Sequence, residues 1–198
     1  MITWRQQQAQ ATRGRLLDEA ARLFADEGFA SVTTTSLAEA AGMTRGALYH
    51  HFANLQEVME AVFERAETQL VEGIASTLSC LTDPVDRLLA IGPTVLDQLE
   101  QNSTVQRIVF SEAPVALGWA RWRMLDGGRS VGMIAAILTE LRDLGALAEA
   151  VDPELSAQLV LGAINEAGMR VAATEGRDRA ALAKQVTLLC RGLLTDPS

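Results

Sequence analysis

The side chains best suited to specific contacts lie in one short segment of the chain. Arg45, Tyr49, His50 and His51 fall close together, and no carboxylate occurs between residues 40 and 56. Arginine can donate paired hydrogen bonds to guanine, and tyrosine and histidine can donate to phosphate oxygens. The two histidines are the only ones in the chain. Because adjacent residues diverge by ~100° around a helix, they do not predict a metal site.

The flanking residues predict two short helices joined by a tight turn. Thr33 can cap the first helix, Gly42 can end it in the left-handed conformation, and Thr44 can cap the second. The inward faces would be apolar, formed by Leu37, Ala38, Ala41, Leu48 and Phe52. The outer face of the second helix would remain exposed, which suits the floor of a DNA major groove. The segment therefore predicts a helix-turn-helix.

We expect eight residues of this segment to contact DNA: Thr34, Thr35, Thr44, Arg45, Gly46, Tyr49, His50 and His51. Arg45 should reach a base edge, with guanine the expected base, whereas Thr34, Thr35, Tyr49, His50 and His51 should contact phosphates. Tyr49 and His51 could instead serve mainly in packing.

The segment resembles the signature of the TetR-type (TetR/AcrR) family of transcriptional regulators. The matching positions are Leu37-Ala38, Ala41-Gly42, Thr44, Gly46, Leu48-Tyr49 and His51-Phe52, and the resemblance is dense over residues 10–62. It implies a homodimer that reads palindromic DNA and pairs its last two helices in a four-helix bundle. The family often has a phosphate-contacting lysine where this chain has Leu55, which leaves that contact open.

The charge distribution is compatible with a DNA-binding head on an acidic body. Residues 1–54 carry five arginines and five acidic residues, whereas residues 55–198 carry 12 basic and 20 acidic residues, which accounts for the net charge of −8. Screening over a Debye length of ~8 Å hides much of the distant acidic body from DNA. Operator affinity should therefore be modest and sensitive to salt.

Composition and motifs exclude several classes of protein. The longest stretches without charge run 11 residues, short of the ~20 needed to span a bilayer, so no membrane partner is expected. Two cysteines make neither a disulfide framework nor a metal knuckle, and we expect a cytoplasmic protein. No nucleophile elbow, phosphate-binding loop or dinucleotide fingerprint occurs. We therefore predict no catalytic residue, no metal and no cofactor.

The 3-to-4 spacing of apolar residues along the chain predicts an all-α fold of about nine helices. We divide it into a three-helix DNA-binding head, residues 1–54, and a larger helical body for effector binding and dimerisation, residues 55–198. Within the body, Glu112-Ala113-Pro114 predicts a break, and Gly127-Gly128 predicts an interrupted or loosened helix.

The last two helices carry apolar stripes with small residues at the centre, which would permit close helix approach. We expect these stripes to form the dimer interface through Leu159, Gly162, Ala163, Ala167, Val186, Leu189, Cys190 and Leu193. The alternative is that both stripes are buried within their own monomer.

Residues 110–125 contain two of the three tryptophans and, with polar residues on a later apolar helix, suggest an effector pocket. The expected lining is Phe110, Glu112, Leu117, Trp119, Trp122, Asn165, Glu166 and Met169. The carboxylates would favour a hydrophobic ligand that is neutral or cationic rather than anionic. Alternatively, the aromatic residues are ordinary core, and Asn165 and Glu166 form hydrogen bonds within the dimer interface.

The sequence thus predicts a ligand-responsive transcriptional repressor that binds a palindromic operator as a homodimer and is released by a small hydrophobic effector. Two alternatives stay open: a DNA-bound scaffold whose body binds another protein without an effector, and a helical enzyme with a vestigial head. The sequence does not distinguish repression from activation, and it does not identify the effector, the operator or the regulated genes.

Overall fold

The computed structural model describes residues 4–195, apart from the side chains of Arg5 and Ala9, and within that range it contains no β-strand. The outer limits of the two predicted domains, residues 1 and 198, lie outside the described residues. The α-helices are α1 (Trp4–Glu27), α2 (Thr34–Ala40), α3 (Arg45–His51), α4 (Leu55–Leu78), α5 (Pro84–Gln101), α6 (Ser103–Arg107), α7 (Ala113–Leu117), α8 (Trp119–Asp143), α9 (Pro153–Ala173) and α10 (Arg179–Arg191). The predicted all-helical fold is confirmed.

Two irregular helical turns complete this architecture. A 3₁₀ turn, Phe29–Ser31, follows α1, and a π-helical turn, Ile108–Glu112, joins α6 directly to α7. α6, the π turn and α7 therefore form one continuous helical segment, residues 103–117. The predicted break at Glu112-Ala113-Pro114 is wrong, because Pro114 directly follows the π turn within this segment, which ends only at Gly118, with a φ of 78°.

The interruption predicted at Gly127-Gly128 is also absent, since α8 is continuous from Trp119 to Asp143. α8 packs along α9, and this tertiary contact outweighs the low helix propensity of two glycines. No helix among residues 4–195 is both long enough and apolar enough to cross a membrane.

One hydrophobic core runs through the head and the body, and α4 belongs to both. Its N-terminal half buries Val58, Val62 and Phe63, and its C-terminal half buries Ile74 and Leu78. α4 packs against α1 on one side and against α5 on the other. Because α3 and α4 are separated by only three residues, a tilt of α4 would move the recognition helix with it.

Candidate DNA-binding surface and body cavity

Local side-chain caps position the two helices of the helix-turn-helix. Thr33 Oγ1 accepts a hydrogen bond from the Ser36 N–H at 3.0 Å, and Ser36 Oγ accepts one from the Thr33 N–H at 3.0 Å. Gly42 ends the first helix with a φ of 65°. Thr44 Oγ1 accepts a hydrogen bond from the Ala47 N–H at 3.2 Å, which begins α3. The predicted caps and turn are confirmed.

Burial separates the two faces of α3. Leu48 is fully buried, which leaves Arg45, Gly46, Tyr49 and His50 exposed. Of the remaining predicted contact residues, Thr35 and Thr44 are exposed, and Thr34 and His51 are half-buried. Six of the eight predicted DNA-contacting residues are therefore exposed, and the other two are partly accessible.

Tyr49 is held by residues on both helices of this surface. Its hydroxyl lies 3.4 Å from Thr34 Oγ1, and the Arg45 guanidinium carbon lies 6.0 Å from the centre of its ring. The hydrogen bond to Thr34, with a smaller contribution from Arg45, lowers the pKa of Tyr49. Tyr49 is therefore exposed and also connects α2 to α3 through Thr34.

Leu55 is half-buried at the start of α4 and packs against the core. Asn54 caps this helix, because its Oδ1 accepts a hydrogen bond from the Glu57 N–H at 2.9 Å. The N-terminal end of α4 thus offers backbone N–H groups and a cap, but the Leu55 side chain carries no positive charge that could pair with a DNA phosphate.

The body contains a small cavity enclosed by α4, α5, the π turn, α8 and α9. Its volume is about 30 Å³, which is room for about one or two water molecules. Its apolar wall includes Leu70, Ile74, Ile91, Val95, Phe110, Met133, Ile134, Leu161 and Ile164. Its polar wall is formed by Glu67, Asp126, Ser130 and Asn165.

Phe110 and Asn165 are the two predicted effector residues that line this cavity, and the two tryptophans do not. Trp122 is fully buried, and its Nε1–H donates a hydrogen bond to the Val109 carbonyl at 2.9 Å. Trp119 is 55% exposed, with its ring centre 4.9 Å from that of Trp122. Sequence spacing placed the tryptophans on one side of a helix but could not show that this side faces the protein core.

The other predicted effector residues also lie outside the lining of this cavity. Glu166 points to solvent, and Leu117 and Met169 are half-buried. Glu112 turns toward the head, where its Oε2 accepts a hydrogen bond from the Phe29 N–H at 2.8 Å.

Of the four polar residues in the cavity wall, the sequence indicated Asn165 but not Glu67, Asp126 or Ser130. Asn165 Nδ2 donates a hydrogen bond to Asp126 Oδ2 at 2.5 Å, and Ser130 Oγ donates one to Glu67 Oε1 at 3.4 Å. Burial, and secondarily the charge of Asp126, raise the pKa of Glu67 to about 7. Burial also raises the pKa of Asp126, and the hydrogen bond from Asn165 partly offsets this. The available signal was an acidic residue within an apolar helical stripe, as at Glu67.

An open pocket of about 290 Å³ lies between α8 and α9, next to the cavity. The two spaces share Asp126, Leu161 and Asn165 in their linings. Separation of these side chains would join the outer pocket to the cavity. The Asp126–Asn165 hydrogen bond therefore lies between the outer pocket and the cavity.

The predicted dimer residues divide into two groups. Leu159 is 76% exposed and Leu189 is 60% exposed, and with Ser156, Val160, Ala163 and Leu193 they line an apolar surface groove of about 210 Å³. Gly162, which lies on α9 close to Leu159, is half-buried.

The second group, Ala167, Val186 and Cys190, is at most 3% exposed and packs inside the chain's own core. These three side chains leave little surface for a second copy, because an apolar arc this wide on α9 and α10 also serves the monomer core. Val186, for example, packs against the backbone of Gly92 on α5.

Two family patterns match the chain. Residues 16–62 match the domain described as "Bacterial regulatory proteins, tetR family", and residues 97–194 match "Tetracyclin repressor-like, C-terminal domain". The chain is 34% identical over 98 residues to the transcriptional activator FasR of Mycolicibacterium smegmatis, covering 50% of this chain and 45% of that protein. It is 31% identical over 132 residues to the transcriptional repressor Rv1474c of Mycobacterium tuberculosis, covering 67% and 65%. The chain thus spans about half to two thirds of the length of these relatives.

Solved structures share the whole fold. A TetR-family regulator from Pectobacterium atrosepticum is 29% identical, with a TM-score of 0.77 over 96% of this chain and 98% of that one. The regulator FadR from Bacillus subtilis, solved with stearoyl-CoA, is 20% identical, with a TM-score of 0.73 over 89% and 96%. With the helix-turn-helix geometry and both family patterns, these matches show that the chain belongs to the TetR family of bacterial transcriptional regulators.

Proposed function

We propose that this protein is a ligand-responsive transcriptional repressor that binds a palindromic operator as a homodimer and is released by a small hydrophobic effector. The observation that carries the proposal is the accessible face of α3, where Arg45 and Tyr49 are exposed and no acidic residue intervenes. We assign DNA binding to residues 1–54 and effector binding and dimerisation to residues 55–198.

The exposed leucines of α9 and α10 support dimerisation. Leu155, Leu159 and Leu189 are each at least 60% exposed in the single chain, and a second copy could cover them symmetrically. A two-fold dimer would present two recognition helices, which palindromic DNA requires ~34 Å apart for entry into successive major grooves. An effector that binds the non-DNA conformation more tightly would spoil this spacing.

The cavity chemistry supports a neutral or cationic effector. Glu67 and Asp126 are each 5% exposed, and an organic cation would relieve the cost of burying their charges. An anionic head group would raise that cost. An acyl thioester of the kind bound by the Bacillus subtilis FadR would have to keep its phosphates outside the cavity.

The size of the cavity favours a second candidate function. At about 30 Å³ the closed cavity does not admit a drug-sized ligand, which needs ~300 Å³ or more. A regulator whose body binds a protein partner without an effector would need no larger space. An effector would therefore require the cavity to enlarge, and we propose separation of α8 and α9 at Asp126 and Asn165 as the route.

The experiment begins with selection of bound DNA from a random pool, using the full chain. We expect an inverted repeat, and recovery of no preferred sequence would contradict the proposal. Release of the selected DNA is then measured with tetraphenylphosphonium and with tetraphenylborate, a cation and an anion of nearly equal shape. The effector assignment is supported if the cation releases the DNA and the anion does not, and if the cation no longer releases it from Glu67→Gln. Failure of both ions and of a wider set of neutral hydrophobic compounds would favour the second candidate.

A further inference from the structure

The π turn, residues 108–112, packs against α1 of the DNA-binding head and also binds the head through its last residue, Glu112. The Glu112 side chain is 16% exposed. Its Oε2 accepts a hydrogen bond from the Phe29 N–H at 2.8 Å, and its Oε1 lies 3.4 Å from the Arg107 guanidinium. Phe29 begins the 3₁₀ turn that leads into α2. A backbone N–H at the start of such a turn has no partner within it, so the carboxylate fixes the path of the chain entering the helix-turn-helix.

The same turn reaches the body cavity two residues earlier. Phe110 lines the cavity, and its ring lies so close to α9 that a methyl group added at Gly168 would be 2.8 Å from it. The Val109 carbonyl accepts the hydrogen bond from Trp122 on α8. Both α8 and α9 therefore hold the turn, and they are the helices that must separate when the cavity opens.

We propose that the π turn carries the state of the cavity to the DNA-binding head, with Glu112 as the positioning residue. A ligand that enlarges the cavity displaces the Phe110 ring, the turn shifts, and the Glu112 carboxylate leaves the Phe29 N–H. The 3₁₀ turn and α2 are then released from the body. This inference rests on the proposed function, and it adds a second connection beside the tilt of α4.

Gly168 allows this connection to be tested without an identified ligand. Gly168→Ala places a methyl group against the Phe110 ring and so displaces the ring without a ligand. Gly132→Ala is the matched control, because a methyl group there has no neighbour within 4 Å. Glu112→Ala removes the contact with the head, and Glu112→Gln keeps an oxygen that can accept the same hydrogen bond.

The first measurement is amide hydrogen exchange at Phe29 by NMR on the DNA-free protein. We expect Glu112→Ala and Gly168→Ala each to accelerate this exchange by about tenfold, the scale of losing a hydrogen bond to a charged group. Glu112→Gln should retain most of the protection, and Gly132→Ala should retain all of it. Unchanged exchange at Phe29 in Gly168→Ala would overturn the proposal. This readout uses no DNA, so it can fail independently of the proposed function.

The second measurement is a double-mutant cycle on affinity for the selected operator. Gly168→Ala should weaken binding by about five- to tenfold in the parent but add little in Glu112→Ala, because the connection is already cut. Equal effects in both backgrounds would overturn the proposal even while the parent binds operator. If Gly168→Ala does not fold, Phe110→Leu takes its place. Phe110→Leu should change the rate of amide exchange at Phe29 in the parent but not in Glu112→Ala. An equal change in both backgrounds, or no change in either, would overturn the proposal.

Discussion

Asp126 and Asn165 join α8 to α9 beside the body cavity, through a hydrogen bond of 2.5 Å from the Asn165 amide to the Asp126 carboxylate. Both residues are at most 5% exposed. Burial raises the pKa of Asp126, and this donor favours its ionised form. The Asn165 amide therefore offsets part of the cost of burying the Asp126 carboxylate, and the hydrogen bond holds α8 against α9.

Asn165→Leu should destabilise the protein by about 2–3 kcal/mol at pH 8, because it leaves a buried carboxylate without its amide donor. The loss should be smaller at pH 5, where the carboxyl takes up a proton more readily and its burial costs less. Urea unfolding at both pH values measures the difference. Gln158→Leu, at an exposed position on the same helix, should have little effect at either pH.

Glu67 should make stability depend on pH. Burial and the charge of Asp126 raise its pKa from 4.5 to about 7 in the folded protein, against the partial opposition of Arg129 and Ser130. Between those values the folded protein holds a proton that the unfolded chain has released. Stability from this group is therefore greatest below pH 4.5, falls as the pH rises from 4.5 through about 7, and levels off above that range.

Glu67→Gln removes the ionisable group and should flatten this dependence. At pH 8 we expect Glu67→Gln to be about 1–2 kcal/mol more stable than the parent, after allowance for screening of the Glu67 charge by solvent. Glu72→Gln, exposed on the same helix, is the control and should keep the slope. A parent whose stability is constant from pH 5 to 8 would contradict the expected burial of Glu67.

Local signals predicted the DNA-binding surface, whereas the cavity depended on tertiary contacts. Thr33, Gly42 and Thr44 act on backbone within three residues, so their types were enough to place α2 and α3. Glu67 and Asp126 lie on different helices and meet only when α4 packs beside α8. Nothing in their spacing indicated that meeting.

The tryptophans show the same limitation for a single helix. Trp119 and Trp122 are three residues apart, yet one is exposed and the other fully buried. Which of them enters the core depends on the contact of α8 with the π turn. Trp122→Ala should accordingly cost ~3–5 kcal/mol of stability rather than remove induction selectively.

Arg45 should read a base in each half-site. Arg45→Ala is expected to weaken operator binding by ~1–3 kcal/mol and to relax sequence preference at one position per half-site. Fluorescence anisotropy with the selected operator and with single-base variants measures both effects. Arg22→Ala is the control, since Arg22 is exposed on α1 and pairs with Glu19 and Asp26. An Arg45→Ala protein with unchanged affinity and selectivity would assign base reading to another residue.

The dimer should depend on the surface groove formed by α9 and α10. Ala163→Glu places a carboxylate among Leu159, Leu189 and Leu193, and burying it there without a partner costs several kcal/mol. We expect a folded monomer by sedimentation and circular dichroism, with operator binding lost because one head cannot occupy two half-sites. Ala180→Glu is the control, being exposed on the opposite side of α10 from Leu189.

Ala167→Glu distinguishes the groove from the core behind it. Ala167 is 2% exposed within the single chain, so its replacement should reduce helix content as well as dimerisation. Loss of the dimer in Ala163→Glu with full helix content would therefore locate the interface at the groove. A dimer that persists in Ala163→Glu would move the interface to another face, and the exposed leucines would then need a different partner.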